Sequence, residues 1–194
     1  MTTFYICRHG QTEYNLQGRL SGWVDTPLTE EGVKNVQSTI AKIQHLSFDE
    51  IHSSDLGRAF VTAYLISRSM NFTREITRSK SLREVSYGDL AGIQTSVGKS
   101  KYGADRLTNF IAPGGESLAQ MQERAIRYLA GLNKVNSNQT ILIVAHEGVI
   151  NAVCAKFENV DLGTRMDTTL TPHDYVGKFE IENGQISVFS EVRR

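Results

Sequence analysis

The sequence lacks the usual marks of secreted, membrane-spanning and multidomain proteins. No apolar run approaches the roughly 20 residues of a membrane span, and the first nine residues are too polar for a secretory signal. No proline-rich, glycine/serine-rich or single-charge stretch marks a linker. These absences predict one domain over residues 1–194 in a cytoplasmic protein.

Cysteine is scarce as well, with only Cys7 and Cys154 in the chain. Both lie in apolar stretches, which favours buried thiols in a reducing compartment over a disulfide framework. No zinc-binding spacing is present. The sequence therefore gives no reason to expect a structural metal or a disulfide.

An excess of charge of one sign is also absent, because 21 basic side chains balance 21 acidic ones. This balance argues against nucleic acid or an anionic membrane as the partner. Any anion site has to be built locally, and a small molecule is the expected partner. The oligomeric state is left open.

Two apolar segments end at histidines. Residues 4–7 read as a short strand that leads to Arg8 and His9, and residues 141–145 form a continuous apolar run that ends at His146. Open α/β sheets bind ligands at the carboxyl ends of their strands. We therefore expect the two histidines to meet at one edge of a sheet.

Helical patterns alternate with these strands. Thr29 can cap a helix whose apolar residues recur at helical spacing. A second helix follows Asp55 and carries Arg58 in its first turn. Ser117 with Gln120 forms a capping-box pattern at the start of a third helix. The apolar residues expected on the inner face of the first helix are Val33, Val36, Ile40 and Ile43. The alternation predicts an α/β fold.

The last part of the chain reads as a hairpin. Asn183-Gly184 is a type I′ turn signal between alternating segments, and that turn would place Ile181 opposite Ile186 and Phe179 opposite Val188. The predicted fold class is a three-layer α/β/α sandwich with a mostly parallel central sheet and an antiparallel C-terminal hairpin.

The residues at the strand ends suit phosphate chemistry. Arg8 and Arg58 supply guanidinium groups, which bind phosphate oxygens in bidentate fashion, and neutral imidazole of His9 is a good nucleophile near pH 7. Phosphoryl transfer depends mainly on positioning and on stabilising charge, so cations around the oxygens make a metal ion dispensable.

Five ordered motifs make this chemistry more specific, and they run from Tyr5 to about Gly148. They are Arg8-His9-Gly10-Gln11-Thr12 with Asn15, residues 53–59 with Thr62-Ala63, Leu82-Arg83-Glu84 with Tyr87-Gly88, residues 113–117, and Ala145-His146-Glu147-Gly148. In order and approximate spacing they resemble the histidine phosphatase superfamily, the phosphoglycerate mutase-like group.

The resemblance implies a role for each matching residue. His9 would be the nucleophile that forms a covalent phosphohistidine, and Glu84 would be the general acid and base, with an elevated pKa. Arg8, Arg58 and His146 would hold the phosphoryl group, and Asn15, Gln11, Thr12 and Gly148 would add phosphate or substrate contacts. No metal or other cofactor is implied.

The chain departs from the family pattern in places. Glu147 stands where the family often has glycine, and we expect its carboxylate to point away from the phosphate. The tail from Thr168 to Tyr175, which contains His173, matches nothing in the family. Trp23 and residues 93–112 are expected near the pocket entrance, without an assigned role.

Several other functions can be weighed. The Cys-x5-Arg motif of tyrosine phosphatases is absent, since Glu13 and Val160 stand six residues after the cysteines, and Gly98-Lys99-Ser100 lacks the first glycine of a P-loop. Two alternatives stay open: a cofactor-dependent phosphoglycerate mutase and a catalytically inactive module that binds phosphorylated ligands. The short segment with Lys99, Lys101, Asp105 and Arg106 favours hydrolysis of a small phosphomonoester over the mutase reaction, which the family performs with an extended basic insertion.

Overall fold

The computed structural model of the protein describes residues 2–102, 111–135, 138–169, 171–182 and 185–193. Over these residues a mixed sheet is flanked by helices. The strands are β1 (Thr2–Arg8), β2 (Glu50–Ser54), β3 (Thr77–Ser79), β4 (Thr140–Ala145), β5 (Val176–Glu182) and β6 (Gln185–Glu191). The helices are α1 (Glu13–Leu16), α2 (Glu30–Ile43), α3 (Gly57–Ser69), α4 (Thr95–Tyr102), α5 (Leu118–Val135), α6 (Glu147–Glu158) and α7 (Leu162–Thr168), with short 3-10 turns at Lys80–Leu82 and Gly88–Leu90.

The strand order in the described part of the sheet is β3-β2-β4-β1-β5-β6. The β3, β2, β4 and β1 strands run parallel, and β5 and β6 are antiparallel. Because β1 and β4 are neighbours with Arg8 paired to Ala145, the segments that follow these two strands leave the sheet side by side. The predicted α/β/α fold class is confirmed, and His9 and His146 meet at one edge.

Side chains of β4 alternate between two cores. Ile141 and Ile143 belong to the core that α5 and α6 cover, whereas Leu142 and Val144 belong to the core that α2 and α3 cover. All four side chains are fully buried. A strand covered on both faces has no polar side to show, which explains its continuous apolar sequence.

Helix α2 begins as predicted, with Thr29 Oγ1 accepting a hydrogen bond from the Gly32 amide at 2.9 Å. Val33 was expected on its inner face, but this residue is 40% exposed, and Gly32 is buried instead. The reason is a close approach of two backbones: a Cβ at Gly10 would collide with the Gly32 carbonyl, and one at Gly32 would collide with the Gln11 carbonyl. The close packing of the turn after His9 against the start of α2 therefore needs glycine at both positions.

The C-terminal strands form the predicted antiparallel pair, and Ile181 pairs with Ile186 as expected. Phe179 does not lie opposite Val188. It pairs with Phe189, because a register shift between Glu180 and Ile181 adds a residue to one strand. The predicted turn residues, Asn183 and Gly184, lie outside the described residues.

The two cysteines are free and buried, as the sequence predicted. Burial raises the pKa of Cys7 to about 12 and that of Cys154 to about 11. Both thiols are therefore protonated and unreactive at neutral pH. No helix in the described ranges is both long and apolar enough to cross a bilayer.

Candidate active site

A pocket of about 310 Å³ opens at the carboxyl ends of β1 and β4. Its lining includes Arg8, His9, Arg58 and Glu84, which are the predicted catalytic residues apart from His146. His146 lies beside His9, and the two rings pack edge to face with their centroids 5.1 Å apart. The structure thus brings all five residues together.

His9 is held in one tautomer by its two hydrogen bonds. Its Nδ1 lies 2.7 Å from the Gly10 carbonyl, which can only accept, so Nδ1 carries the hydrogen. Its Nε2 lies 3.3 Å from Nε of Arg58, which can only donate, so Nε2 carries the lone pair. Burial, and then the charges of Arg58 and Arg8, hold the pKa of His9 well below its ordinary value. The imidazole is therefore neutral and nucleophilic at Nε2.

Arg58 connects His9 to the loop that follows α1. Its Nη1 donates to Asp25 Oδ1 at 2.9 Å and to the Val24 carbonyl at 3.1 Å, and its Nη2 donates to the Gly22 carbonyl at 2.7 Å. The guanidinium group is nearly fully buried. Because the guanidinium group is planar and rigid, these three hydrogen bonds from the Nη atoms keep Nε pointed at His9.

Arg8 is paired with Glu147, contrary to the expectation that this carboxylate points away. Arg8 Nη2 lies 3.0 Å from Glu147 Oε2, and Arg8 Nη1 donates to the Thr171 carbonyl. Glu147 lines the pocket and also accepts from the Thr171 amide at 3.3 Å. The prediction was wrong because it treated Arg8 solely as a phosphate ligand, whereas a guanidinium group also attracts a neighbouring carboxylate.

Three side chains at the site have buried polar atoms without partners among the described residues. These atoms are Nε of Arg8, Oγ of Ser21 and both ring nitrogens of His146. Burial, with help from the charge of Arg58, lowers the pKa of His146 well below its ordinary value, so this ring is neutral too. Unpaired buried donors are costly in native proteins, and they commonly mark places where a ligand binds.

Glu84 is placed by backbone amides. Its Oε2 accepts from Gly148 at 3.0 Å and its Oε1 accepts from Val85 at 2.9 Å. Burial raises the pKa of Glu84, and the nearby charge of Glu147 adds to the rise, while the amides and Arg58 oppose it. A carboxyl group with a raised pKa can hold a proton until a reaction needs it.

The glycine at position 148 is required for this placement. A Cβ there would collide with Glu84 Oε1 and would also come within 3.1 Å of the Met121 sulfur. Gly148 was predicted to contact phosphate, but its amide serves Glu84 instead.

Arg124 fixes the backbone around Glu84. Its guanidinium group donates to the carbonyls of Ser81, Arg83 and Glu84 at 2.9, 2.7 and 2.9 Å. It is paired with Glu116, whose Oε1 also accepts from the Ser86 amide at 3.1 Å. On the other side, Trp23 Nε1 donates to the Glu84 carbonyl at 2.7 Å.

The other predicted phosphate contacts divide into two groups. Asn15 lines the pocket, and its Oδ1 accepts from the Thr12 amide at 3.1 Å, which leaves the Asn15 amide nitrogen for other partners. Gln11 and Thr12 do not line the pocket. Gln11 Oε1 accepts from Thr29 at 2.9 Å, and Thr12 caps α1.

The tail that matched no family motif packs against His9. His173 Nδ1 lies 3.0 Å from the His9 carbonyl, and the two rings are 5.6 Å apart. Burial is the largest cause that lowers the pKa of His173 to about 4. Lys42 holds the tail from α2 by donating to the Asp174 carbonyl at 2.6 Å and to its carboxylate at 2.9 Å.

Sequence reasoning missed Asp25, Glu116 and Arg124 as supports of the site. Asp25 lies in a loop, and Arg124 lies on a helix whose apolar stripe does not include it. Neither position carries a periodic signal. Only the motif Pro113-Gly114-Gly115-Glu116-Ser117 pointed to one of them, without a role.

With the geometry established, comparison with known proteins identifies the family. A model described as the histidine phosphatase superfamily (branch 1) matches residues 4–190. The chain belongs to this superfamily. The resemblance seen in the five sequence motifs is thereby confirmed.

Members similar to this chain include both mutases and phosphatases. The 2,3-bisphosphoglycerate-dependent phosphoglycerate mutase of Xanthobacter autotrophicus is 36% identical over 166 residues, which cover 80% of each chain. Uncharacterized phosphatase PhoE of Bacillus subtilis is 30% identical over 161 residues, covering 83% of this chain and 80% of the relative. The solved structure of YhfR from Bacillus stearothermophilus matches with a TM-score of 0.86 and 26% identity, covering 97% and 95% of the two chains. This histidine phosphatase superfamily enzyme is thus similar to proteins that carry either name.

Proposed function

We propose that the protein hydrolyses a small phosphomonoester through a covalent phosphohistidine on His9. The observation that carries the proposal is the fixed tautomer of His9, whose Nε2 lone pair lies in the pocket that Glu84 also lines. Around it, Nε of Arg8 and the one protonated ring nitrogen of the neutral His146 can donate to phosphoryl oxygens. Family membership supports the same chemistry.

In the first step, Nε2 of His9 attacks phosphorus and the bond to the ester oxygen breaks. Glu84 gives its proton to that oxygen, so the product leaves as a neutral alcohol. The Nδ1 hydrogen stays on the ring, where the Gly10 carbonyl stabilises the positive charge that develops. Nε of Arg58 gives up its hydrogen bond to Nε2 as the attack begins and joins Arg8 and His146 in holding the equatorial oxygens, in the role that a metal ion has in kinases.

In the second step, water attacks the phosphohistidine. Glu84 is now a carboxylate and takes a proton from the water as the new oxygen–phosphorus bond forms. The nitrogen–phosphorus bond breaks, inorganic phosphate is released, and His9 and Glu84 return to their starting protonation states. One carboxyl group thus serves both steps in opposite directions.

The length of one segment favours water as the acceptor. Only residues 93–112, 20 in all, separate Gly92 from Pro113. A mutase has to keep water away while a bisphosphorylated intermediate reorients, and so short a segment is poorly suited to that closure. Of its charged residues, Asp105 and Arg106 lie outside the described residues.

A phosphoglycerate mutase is the second candidate. It is favoured by the name of the relative that is 36% identical. The two candidates differ in what accepts the phosphoryl group, so one experiment separates them. Phosphate release is measured over a panel of phosphorylated metabolites, and interconversion of 3- and 2-phosphoglycerate is measured beside it with and without 2,3-bisphosphoglycerate.

For a hydrolase, release from the best ester exceeds isomerisation, and 2,3-bisphosphoglycerate does not stimulate turnover. The variant His9→Ala loses phosphate release while its circular dichroism spectrum is unchanged. Faster isomerisation that depends on the bisphosphate would establish the mutase instead. A pocket that binds esters but turns over none, not even p-nitrophenyl phosphate, would establish a binding module.

A further inference from the structure

A second carboxylate stands beside the proposed reaction centre. Glu147 lines the pocket, and its side chain is 27% exposed despite the contacts with Arg8 and Thr171. Glu147 directly precedes Gly148, whose amide donates to Glu84 Oε2 at 3.0 Å. Burial is the main cause that raises the pKa values of Glu84 and Tyr87, and the charge of Glu147 adds to both. Glu147 therefore lies on the side of the pocket where the acid meets the ester oxygen.

The described cations of the pocket already have anionic or carbonyl partners. Arg8 faces Glu147, and Arg58 faces Asp25. Arg19 is exposed at the mouth, where it donates to the Gly92 carbonyl at 2.6 Å. Next to the phosphate, then, the alcohol part of a substrate meets a carboxylate whose charge Arg8 only partly offsets.

The remaining wall is mostly apolar. Seven hydrophobic side chains line the described part of the pocket: Leu20, Val85, Tyr87, Leu90, Ala112, Leu118 and Met166. Apolar surroundings lower the local dielectric constant, so an unpaired charge costs more there than in water. The wall would oppose a second charge of either sign on the substrate, and Glu147 would compensate a positive charge but add to the cost of a negative one.

We propose that Glu147 makes the site selective for phosphomonoesters whose alcohol part is uncharged or cationic, and against those whose alcohol part carries a second anion close to the phosphate. The proposal rests on the proposed function and names the substrate class for it. Because Glu147 touches no reacting atom, it acts as a specificity-determining residue.

Esters with a two-carbon alcohol part test this selectivity next to the phosphate, because they are too short to reach Arg19 at the mouth of the pocket. Aminoethyl phosphate and carboxymethyl phosphate differ in one charged group, and ethyl phosphate is the uncharged reference. For each ester kcat/KM is measured with the wild-type protein and with Glu147→Gln. The preference of each protein is the ratio of kcat/KM for aminoethyl phosphate to kcat/KM for carboxymethyl phosphate. Because the intrinsic reactivity of each ester is the same with both proteins, a change in this ratio between wild type and Glu147→Gln reports the effect of the Glu147 charge.

We expect the preference for the amine over the carboxylate to fall by about 10-fold or more in Glu147→Gln, as for removal of one charge a few ångströms away. Glu158→Gln is the matched control, because Glu158 lies at the other end of α6, outside the pocket, and pairs with Arg165. Its ratio stays at the wild-type value. An unchanged ratio in Glu147→Gln, or an equal change in Glu158→Gln, overturns the proposal.

A second measurement needs neither turnover nor a variant. Calorimetry with the wild-type protein compares 2-aminoethylphosphonate with phosphonoacetate, which cannot be hydrolysed. We expect the amine to bind about 10-fold more tightly. Equal affinities, tighter phosphonoacetate or binding of neither overturns the selectivity. Absence of phosphate release from every ester, with the affinity difference intact, refutes the hydrolase and leaves the selectivity standing.

Discussion

The Gly148 amide donates to Oε2 of Glu84 across 3.0 Å, and no side chain larger than hydrogen fits at that position. The same helix, α6, begins directly after His146. One helix terminus therefore positions both the proposed acid and a histidine beside the nucleophile. This coupling makes the acid sensitive to changes that leave its own side chain intact.

Gly148→Ala tests the coupling. The added methyl group is expected to displace Glu84 from its amides, because the two would otherwise overlap. Alkyl phosphates should then be cleaved at least about 10-fold more slowly, while p-nitrophenyl phosphate, whose leaving group needs no proton, is affected less. Rates of phosphoenzyme formation in single turnovers measure the contrast. Equal slowing of both esters would mean that the methyl group disturbs phosphate binding rather than the acid.

Glu84→Gln replaces the proton-donating carboxyl group by an amide of nearly the same size and shape. We expect formation of the phosphoenzyme from alkyl phosphates to slow by about 10²- to 10⁴-fold, with little change for p-nitrophenyl phosphate. Later hydrolysis slows for both esters, since water then has no base. Single-turnover and steady-state rates separate the two steps. If both esters slow equally in the first step, the proton comes from another group, and Glu116 or Glu147 would be examined next.

Arg124→Gln is expected to loosen the backbone that carries Glu84, because three carbonyls lose their shared donor. The effect should again be larger for alkyl phosphates than for p-nitrophenyl phosphate, by about threefold or more, as for other residues that position an acid. Arg127→Gln is the control. Arg127 lies on the same helix in an exposed pair with Glu123, and such pairs contribute about 0.5 kcal/mol or less. A uniform loss with all esters in Arg124→Gln would assign it a structural role only.

The phosphorylated protein should lose its label in acid and keep it in base. A phosphorus–nitrogen bond is hydrolysed in acid, whereas serine and tyrosine phosphate esters survive it. Labelled substrate is quenched at both extremes of pH, and His9→Ala serves as the unlabelled control. A label that survives acid would place the phosphoryl group on an oxygen nucleophile.

The rate of phosphorylation should decline at low pH, where His9 becomes protonated, and at high pH, where Glu84 loses its proton. His9 reacts as neutral imidazole, and its lowered pKa moves the acid-side decline below the 6.5 of a free imidazole. Glu84 has to be protonated in the first step, and its raised pKa moves the base-side decline above the ordinary carboxyl range. The rate of phosphorylation at saturating alkyl phosphate is measured against pH. In Glu84→Gln the base-side decline should disappear while the acid-side decline remains; persistence of both would assign the upper one to a different group.

The sequence was sufficient to predict where the two histidines meet. Residues 4–7 and 141–145 are buried strands, and parallel strands bring their ends to one edge, so His9 and His146 followed from pattern alone. Arg58 followed because a helix beginning just after a strand places its first turn at that edge. In these cases backbone geometry determines the position of the side chain.

Other features depend on contacts between distant segments. The orientation of Glu147 depends on Arg8 and on the Thr171 amide, and the latter belongs to a tail without recognisable pattern. The pairing of Phe179 with Phe189 depends on a bulge that alternation of residues does not reveal. Such details are decided by packing after the strands have met, so local sequence does not contain them.

The position of β1 inside the sheet also bears on how the chain folds. His9 follows a strand that precedes both of its partners in the chain, since β1 pairs with residues 140–145 and 176–181. Until both have been synthesised, β1 is an apolar strand with open edges, a form that is prone to aggregate. Contacts of such long sequence separation also slow folding. The strand that leads to His9 is therefore synthesised before both of its partners and is paired on both edges only after the later one is made, so a chain that stops before Val176 leaves one side of it unpaired.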